Sequence, residues 1–480
     1  MKHLLPLLFV FLACSCVRAQ NYISVDKQER LTAEQIGRQL PITTEYDVVI
    51  YKVLYATVDA FGKPDTASGM LSVPDDRSLR FPMGIYMHGT VTDREAVPSR
   101  RETLERSVVN AFATNGYIMV APDYIGLGDS DGFHPYVHAA TESSAGRDLI
   151  LAAQSWMDDQ QVAYNDQLFI TGYSQGGHAA QALHRDIQAD SGSASLSVTA
   201  ATHLSGPYSI SDVMRRATLS EGRPTLPGYI VYTYVSYNNV YQIYDSLGQV
   251  FVQPYLDVIR QYDREEIDGE AFNASLTDLL EERQERLIDM FQDSIEQQIS
   301  SDDDDSRIVQ ALRDNDTFDW APEAPTLLYY CTADEQVPAE NALVAAARMR
   351  ELGSTSVIAQ SGGDLSHGGC IPFALLTTLN LFDQYATISS TTSLGRAVDI
   401  PAFTISPNPA GAGTDLRLTG LPAGIEARYD LYDPTGRTIM HGHITDRASL
   451  TVPATVRSGV HVLRLTLSDG NFVVRRVVLR

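Results

Sequence analysis

The chain has 480 residues, a hydrophobic fraction of 44%, and 60 acidic against 36 basic side chains. A formal charge of −24 and the lack of any Lys/Arg-rich run exclude the basic surface that a nucleic-acid partner requires. The length exceeds what one small core serves, so two domains are expected.

The first residues have the form of an export signal. Lys2 supplies the positive start, 4–13 an apolar stretch too short to span a bilayer, and Val17 and Ala19 the small residues of a cleavage site. Residues 1–19 are therefore expected to leave, with Gln20 as the mature start and no transmembrane segment remaining. Acylation at Cys14 or Cys16, as in a lipoprotein, is the alternative.

From 47 to about 385 strand and helix patterns alternate, which predicts an α/β domain over 20–387 built on a mainly parallel sheet. Strands are expected at 47–58, 67–73, 83–87, 117–121, 167–171, 197–203, 326–331 and 356–359. Several are near-continuous apolar runs, as in strands buried on both faces. Helices are expected at 142–157, 178–188, 340–352 and 373–385. The interval of about 206–325 is too long for a connection and reads as a helical cap. Its tyrosines (Tyr229, Tyr232, Tyr234, Tyr237, Tyr241 and Tyr244) line a substrate pocket or pack the cap. Leu280, Leu287, Phe291, Ile295 and Ile299 are expected on one helical face. The acidic run 302–305 reads as a solvated break; it lacks the glycine and spacing of an EF-hand loop. Residues 388–401, rich in Ser and Thr, read as a linker. Short alternating strands at 415–418, 426–432, 449–452, 460–466 and 472–479, separated by turns, predict a small β-sandwich over 402–480.

The sequence GYSQGG at 172–177 follows a strand-like run and precedes a helical one. This is the context in which G-x-S-x-G forms a sharp turn, with glycines where crossing backbone leaves no room for a side chain. Ser174 is thus the candidate nucleophile, and the amide of Gln175 is aimed at a developing oxyanion. A second donor is expected from Gly89 or Thr90, in the His-Gly pair ending the strand at 83–87; His88 itself reads as structural.

A serine hydroxyl needs a base, followed here in the expected chain order of Ser, acid, His. His178 and His184 lie on the helix leaving the turn and His203 on the next strand, whereas His367 sits among glycines in a loop after the last predicted strand. Asp334, just past the strand at 326–331, is the expected acid, with Glu335 and Asp364 as competitors; a turn or cap residue is its other reading. Cys331 then closes the strand before the acid, and Cys370 follows the base by three residues. A disulfide there would pin the two loops together; two buried thiols are the alternative.

With these residues in hand, 45–385 resembles secretory lipases and related carboxylesterases of the α/β-hydrolase superfamily. VAPDYIGLGDS at 120–130 and HPY at 134–136 add to the likeness. The resemblance implies ester hydrolysis through an acyl-enzyme on a small-molecule or lipid ester, with no cofactor and no metal. Asp123, which precedes Ser174, is not the acid. The sequence 402–480 is similar to type IX secretion sorting domains, through SPNP at 406–409, YDPTGR at 432–437, Gly459-Val460 before a strand, and VVRRVVLR at 473–480. That likeness implies the type IX machinery as a partner and a secreted or cell-surface destination. A prolyl-oligopeptidase-like peptidase, a carbohydrate esterase and a non-enzymatic surface-binding protein are the rival readings.

Overall fold

The computed structural model describes residues 21–39, 42–190, 196–222, 225–301, 304–391, 400, 403–411, 413–421, 427–434, 438–444, 449–453, 456–467 and 472–480. The expected export signal with Cys14 and Cys16, Asp302, most of the expected linker, and Gly436 and Arg437 lie outside them. The chain divides into two compact units, one of 1–76 with 81–387 and one of 77–80 with 388–480.

The first unit opens with β1 (Tyr22–Leu31), α1 (Ala33–Gln39), β2 (Val48–Val58), β3 (Pro64–Pro74) and β4 (Leu79–Met87). It continues through α2 (Leu104–Ala113), β5 (Ile118–Pro122), α3 (Ala139–Asp159), β6 (Tyr164–Tyr173), α4 (Gln175–Ala189) and β7 (Val198–Leu204). The cap holds α5 (Arg215–Thr218), α6 (Pro227–Tyr241), α7 (Tyr255–Asp263), α8 (Gly269–Arg283), α9 (Asp293–Ser301) and α10 (Arg307–Asp314). Then come β8 (Thr326–Tyr330), α11 (Glu340–Glu351), β9 (Val357–Ser361) and α12 (His367–Phe382).

The sheet runs β1-β2-β3-β5-β4-β6-β7-β8-β9. Neighbours are antiparallel from β1 to β5 and parallel from β5 onward. The apolar runs of β4, β5 and β6 are buried because helices cover both faces of the sheet centre. Phe112, Tyr117, Phe169 and Phe382 form an aromatic cluster beneath α2 and α12. β1 was not expected from the pattern; its mixed burial fits a half-exposed edge strand.

Two local expectations are corrected. Leu280, Leu287, Phe291, Ile295 and Ile299 all enter one buried cap cluster but do not share a helix. Gln284 takes a left-handed conformation that ends α8, Leu287 opens a 3-10 turn held by the Arg286–Asp289 capping box, and Phe291 is extended. His367 is likewise not in a loop. Ser366 accepts a hydrogen bond from the Gly369 amide and caps α12, so His367, Gly368 and Gly369 form its first turn, and Pro372 lies inside the helix rather than before it.

The second unit contains β10 (Ser389–Ser390), paired with Leu79 and Arg80, and two further sheets. β11 (Thr404–Ser406), β12 (Asp415–Thr419) and β15 (Ser449–Thr451) form one in the order β11-β12-β15. β13 (Ala427–Tyr432), β14 (Thr438–Ile444), β16 (Gly459–Leu467) and β17 (Phe472–Leu479) form the other in the order β14-β13-β16-β17. Alternating Leu416, Leu418, Leu431, Leu463, Leu465, Val473 and Val477 supply the shared core. β11 and β14 were not expected: one is three residues long, and the other carries Gly442 where a Cβ would stand 2.8 Å from the Tyr429 ring.

His184 on α4 and His203 on β7 are buried against each other, and His184 also packs on Trp320. Burial holds His184 down at about 3 and His203 well below the ordinary 6.5, so both are neutral when folded. The unfolded chain binds protons there below about pH 6.5 and the folded chain does not, so stability falls as pH drops from about 6.5 toward 4. The expected loss between pH 7 and pH 5 is about 2 kcal/mol per histidine, with His184→Gln flattening the slope. Urea unfolding followed by tryptophan emission checks this, since both tryptophans of the chain (Trp156 and Trp320) lie in the first unit.

Candidate active site

The turn between β6 and α4 is the centre of the site. Ser174 has φ 59° and ψ −123°, a conformation that side-chain-bearing residues rarely adopt. Its neighbours show why the turn keeps it. A Cβ on Gly172 would stand 2.1 Å from Gly176 O, one on Gly176 1.9 Å from Met87 O, and one on Gly177 2.5 Å from Leu204 O. The backbone of this turn crosses the ends of β4 and β7 so closely that only glycine fits at these three positions. Ser174 N donates to Leu204 O at 2.9 Å and fixes the turn to β7. As the first residue of α4, Gln175 has no acceptor for its amide among the described residues. Gly89 lies beside the nucleophile: a Cβ there would be 4.0 Å from Ser174 Cβ. Thr90 is held by a 2.8 Å hydrogen bond between its Oγ1 and the Tyr136 hydroxyl.

Asp334 follows the end of β8, and its carboxylate is nearly fully buried. Oδ1 accepts from the amides of Gln336 (3.0 Å) and Val337 (2.8 Å), so the residue is a turn cap as well as a partner for histidine. Oδ2 lies 2.7 Å from His367 Nδ1. A carboxylate accepts, so Nδ1 carries the ring proton and Nε2 is left with a free lone pair. Glu335 takes a different place, accepting from the His367 backbone amide at 3.0 Å. Burial pushes its carboxyl up, but this bond and others outweigh it and hold Glu335 below the ordinary value. Asp364 is exposed.

Tyr173, the residue before the nucleophile, ties the two halves together. Its hydroxyl donates to His367 O at 2.6 Å, and its ring centroid is 5.1 Å from the imidazole. Among the described residues the Ser174 hydroxyl has no hydrogen-bond partner. Nucleophile–base contacts commonly tighten only when substrate is bound. Cys331 and Cys370 form a disulfide across a sequence separation of 39. It joins the residue just past β8 to the first turn of α12, three positions from Asp334 on one side and from His367 on the other.

The other buried histidines near the sheet are occupied elsewhere. His88 is fully buried with Nδ1 2.7 Å from Gly89 O, and His203 Nδ1 faces the Gln181 side chain. Asp123 is buried and accepts from Ser68 Oγ and Ser99 N. His178 bonds Glu142, and His134 reaches the side chain of Gln175. Glu142 was not among the expected site residues; its signal in the sequence is a lone carboxylate in the otherwise small and uncharged first turns of α3.

A narrow cavity, partly open to solvent, runs from Ser174 into the cap. Ser174, Gln175 and 335–337 line one end, and Ile210, Met214, Leu226, Tyr229, Ile230, Tyr234 and Leu312 the other. Of the six cap tyrosines, Tyr229 and Tyr234 face this cavity. Tyr232 instead stacks on Tyr136, the Tyr237 hydroxyl donates to Val137 O, and Tyr241 bonds Asn315. Among the described residues there is no cluster of His, Cys, Asp and Glu fit for a metal, and no helix is long and apolar enough to cross a membrane.

No protein-family model and no curated protein matches the chain. Solved structures do. A Legionella pneumophila protein with a provisional hydrolase assignment is similar at 25% identity and a TM-score of 0.68, over 76% of this chain and 98% of that one. The rice cell wall degrading esterase LipA from Xanthomonas oryzae is similar at 26% identity and a TM-score of 0.65, over 77% and 99%. Candida antarctica lipase A, at 14% identity and a TM-score of 0.54 over 76% and 82%, is alike in fold alone. The first unit therefore has the α/β-hydrolase fold with a helical cap after β7, and an all-β sandwich follows it.

Breaking the Cys331–Cys370 bond should loosen this arrangement. In the chain-entropy view, closing a loop of this size contributes about 3–4 kcal/mol. The double substitution Cys331→Ser/Cys370→Ser is expected to lower the unfolding free energy by that amount, read from the shift of the urea transition in tryptophan emission.

Proposed function

We propose that the chain is a secreted serine esterase or lipase that cleaves carboxylic esters with Ser174 as nucleophile, His367 as base and Asp334 as acid. The observation that carries this reading is the 2.7 Å bond between Asp334 and His367 Nδ1, set beside a serine in a strained turn. Ester-cleaving neighbours at 26% identity support it.

Ser174 Oγ attacks the ester carbonyl carbon while its proton passes to His367 Nε2. The carbonyl electron pair moves onto oxygen, which the amides of Gln175 and of Gly89 or Thr90 receive. Collapse expels the alcohol, which takes the proton from His367 and leaves an acyl-serine. Water, deprotonated by His367, then releases the acid and restores the hydroxyl. The largely apolar cavity suits an acyl chain, so turnover is expected to rise beyond acetyl esters.

The cell-wall-degrading activity of the LipA neighbour favours a second reading, in which the esters are carried on glycans. For export, we propose removal of 1–19 and passage through the type IX machinery by 402–480, on the strength of the sequence likeness alone.

Three measurements test these proposals. Fluorophosphonate labelling should vanish in Ser174→Ala, and kcat on p-nitrophenyl esters should fall by about 10⁴-fold or more, with Asp334→Asn losing about 10²–10⁴-fold. Wild-type turnover in Ser174→Ala would end the reading. An acyl-chain series, run against acetylated and feruloylated glycans and aminoacyl-nitroanilides, separates lipase from glycan esterase and peptidase. Removing 402–480 should trap the enzyme inside the outer membrane, read by fractionation of cells and medium.

A further inference from the structure

Behind the nucleophile turn lies a buried run of polar groups that this chemistry does not use. His134 Nδ1 stands 2.8 Å from Ile125 O. A carbonyl only accepts, so Nδ1 carries the proton and Nε2 offers a lone pair. Burial holds His134 down at about 4, which keeps that lone pair available at neutral pH. The Gln175 Nε2 amino group lies 2.9 Å from His134 Nε2 and 3.0 Å from Glu142 Oε1, so its two protons go one to each.

The other oxygen of Glu142 lies 2.7 Å from His178 Nδ1, and His178 Nε2 lies 2.8 Å from Asn315 O. Nε2 must therefore donate, and one further proton sits between Nδ1 and Oε2. Whichever atom holds it, the Glu142–His178 pair is neutral as a whole, which suits its complete burial. Asn315 carries the run onward, donating from its side chain to the Tyr241 hydroxyl of α6 at 3.0 Å and accepting from Ala139 N at 2.9 Å.

This arrangement is costly where a packing residue would not be. Gln175 Oε1 is buried without a hydrogen-bond partner among the described residues. Turning the amide over would set that oxygen against two acceptors, and a methionine would fill the space with no orphaned group. A chain needing only bulk at 175 would not keep this amide.

We propose that Glu142 and His134 are positioning residues for the oxyanion site: they grip the Gln175 side chain from two sides and so fix the direction of the amide that follows Ser174. The His178–Asn315–Tyr241 run ties the same grip to the cap. This inference rests on the ester-hydrolysis reading of the site.

The test uses the full-length enzyme, with active sites counted by fluorophosphonate labelling and kcat expressed per labelled site. Gln175→Met and Glu142→Leu are each expected to lower kcat on a p-nitrophenyl ester by about 10- to 100-fold, with KM changed less than about threefold. The labelling rate should fall in parallel, because the phosphonyl oxygen occupies the same place as the oxyanion. Glu142→Gln should recover to within about threefold of wild type, since its amide can accept from Gln175 and donate to His178 Nδ1. The double variant should be no worse than either single, as for parts of one unit. Wild-type kcat in Gln175→Met overturns the inference, as does a raised KM at constant kcat, which would mean Gln175 merely lines the cavity. If Glu142→Leu fails to fold, Gln175→Met with Glu142→Gln decides. A wild-type enzyme that turns over no ester overturns both this inference and the reading beneath it; ester turnover untouched by Gln175→Met overturns the inference alone.

Discussion

At Gly172 and Gly176 the backbone leaving β6 passes the end of β4 with no space for a methyl group between them. That crossing holds Ser174 at a positive φ, and the tight contact is held by the buried parallel strands on either side. A strained residue persists only where its surroundings over-determine it. Here the strands and α4 supply that constraint. The open amide of Gln175 follows from the same turn, because α4 starts at that residue and the first amide of a helix has no partner within it.

The proposed acid and base, Asp334 and His367, come from elsewhere in the chain and depend on different physics. Asp334 is fixed by two amides of its own loop, and His367 by a helix start, a neighbouring carboxylate on its amide and a tyrosine on its carbonyl. Tyr173 matters because it belongs to the strand that carries the nucleophile. The site is thus a meeting of the end of β6, the hydrogen-bonded loop after β8 and the start of α12.

Much of this was legible in the sequence for identifiable reasons. Strands buried on both faces are continuous apolar runs, so β4 to β8 stood out. The glycines around Ser174 were legible because steric exclusion leaves one residue type. The disulfide followed from the places of Cys331 and Cys370 relative to the expected acid and base. What escaped depends on contacts distant in sequence. The start of α12 was hidden because Pro372 and the glycines read as a break, while the cap made by Ser366 overrides them. The division of the cap into α8, a 3-10 turn and α9 was hidden because five apolar residues happen to keep helical spacing. The bonds joining His134, Glu142 and Gln175 span up to 41 positions, and no periodicity announces them.

The Cys331–Cys370 link has one more consequence. The stretch it closes contains α11 and β9, and β9 is the outermost strand of the parallel half of the sheet. An outer strand is where a sheet frays first. Because the covalent tether joins the chain just ahead of Asp334 to the chain just past His367, an opening of that margin is expected to leave the two residues side by side.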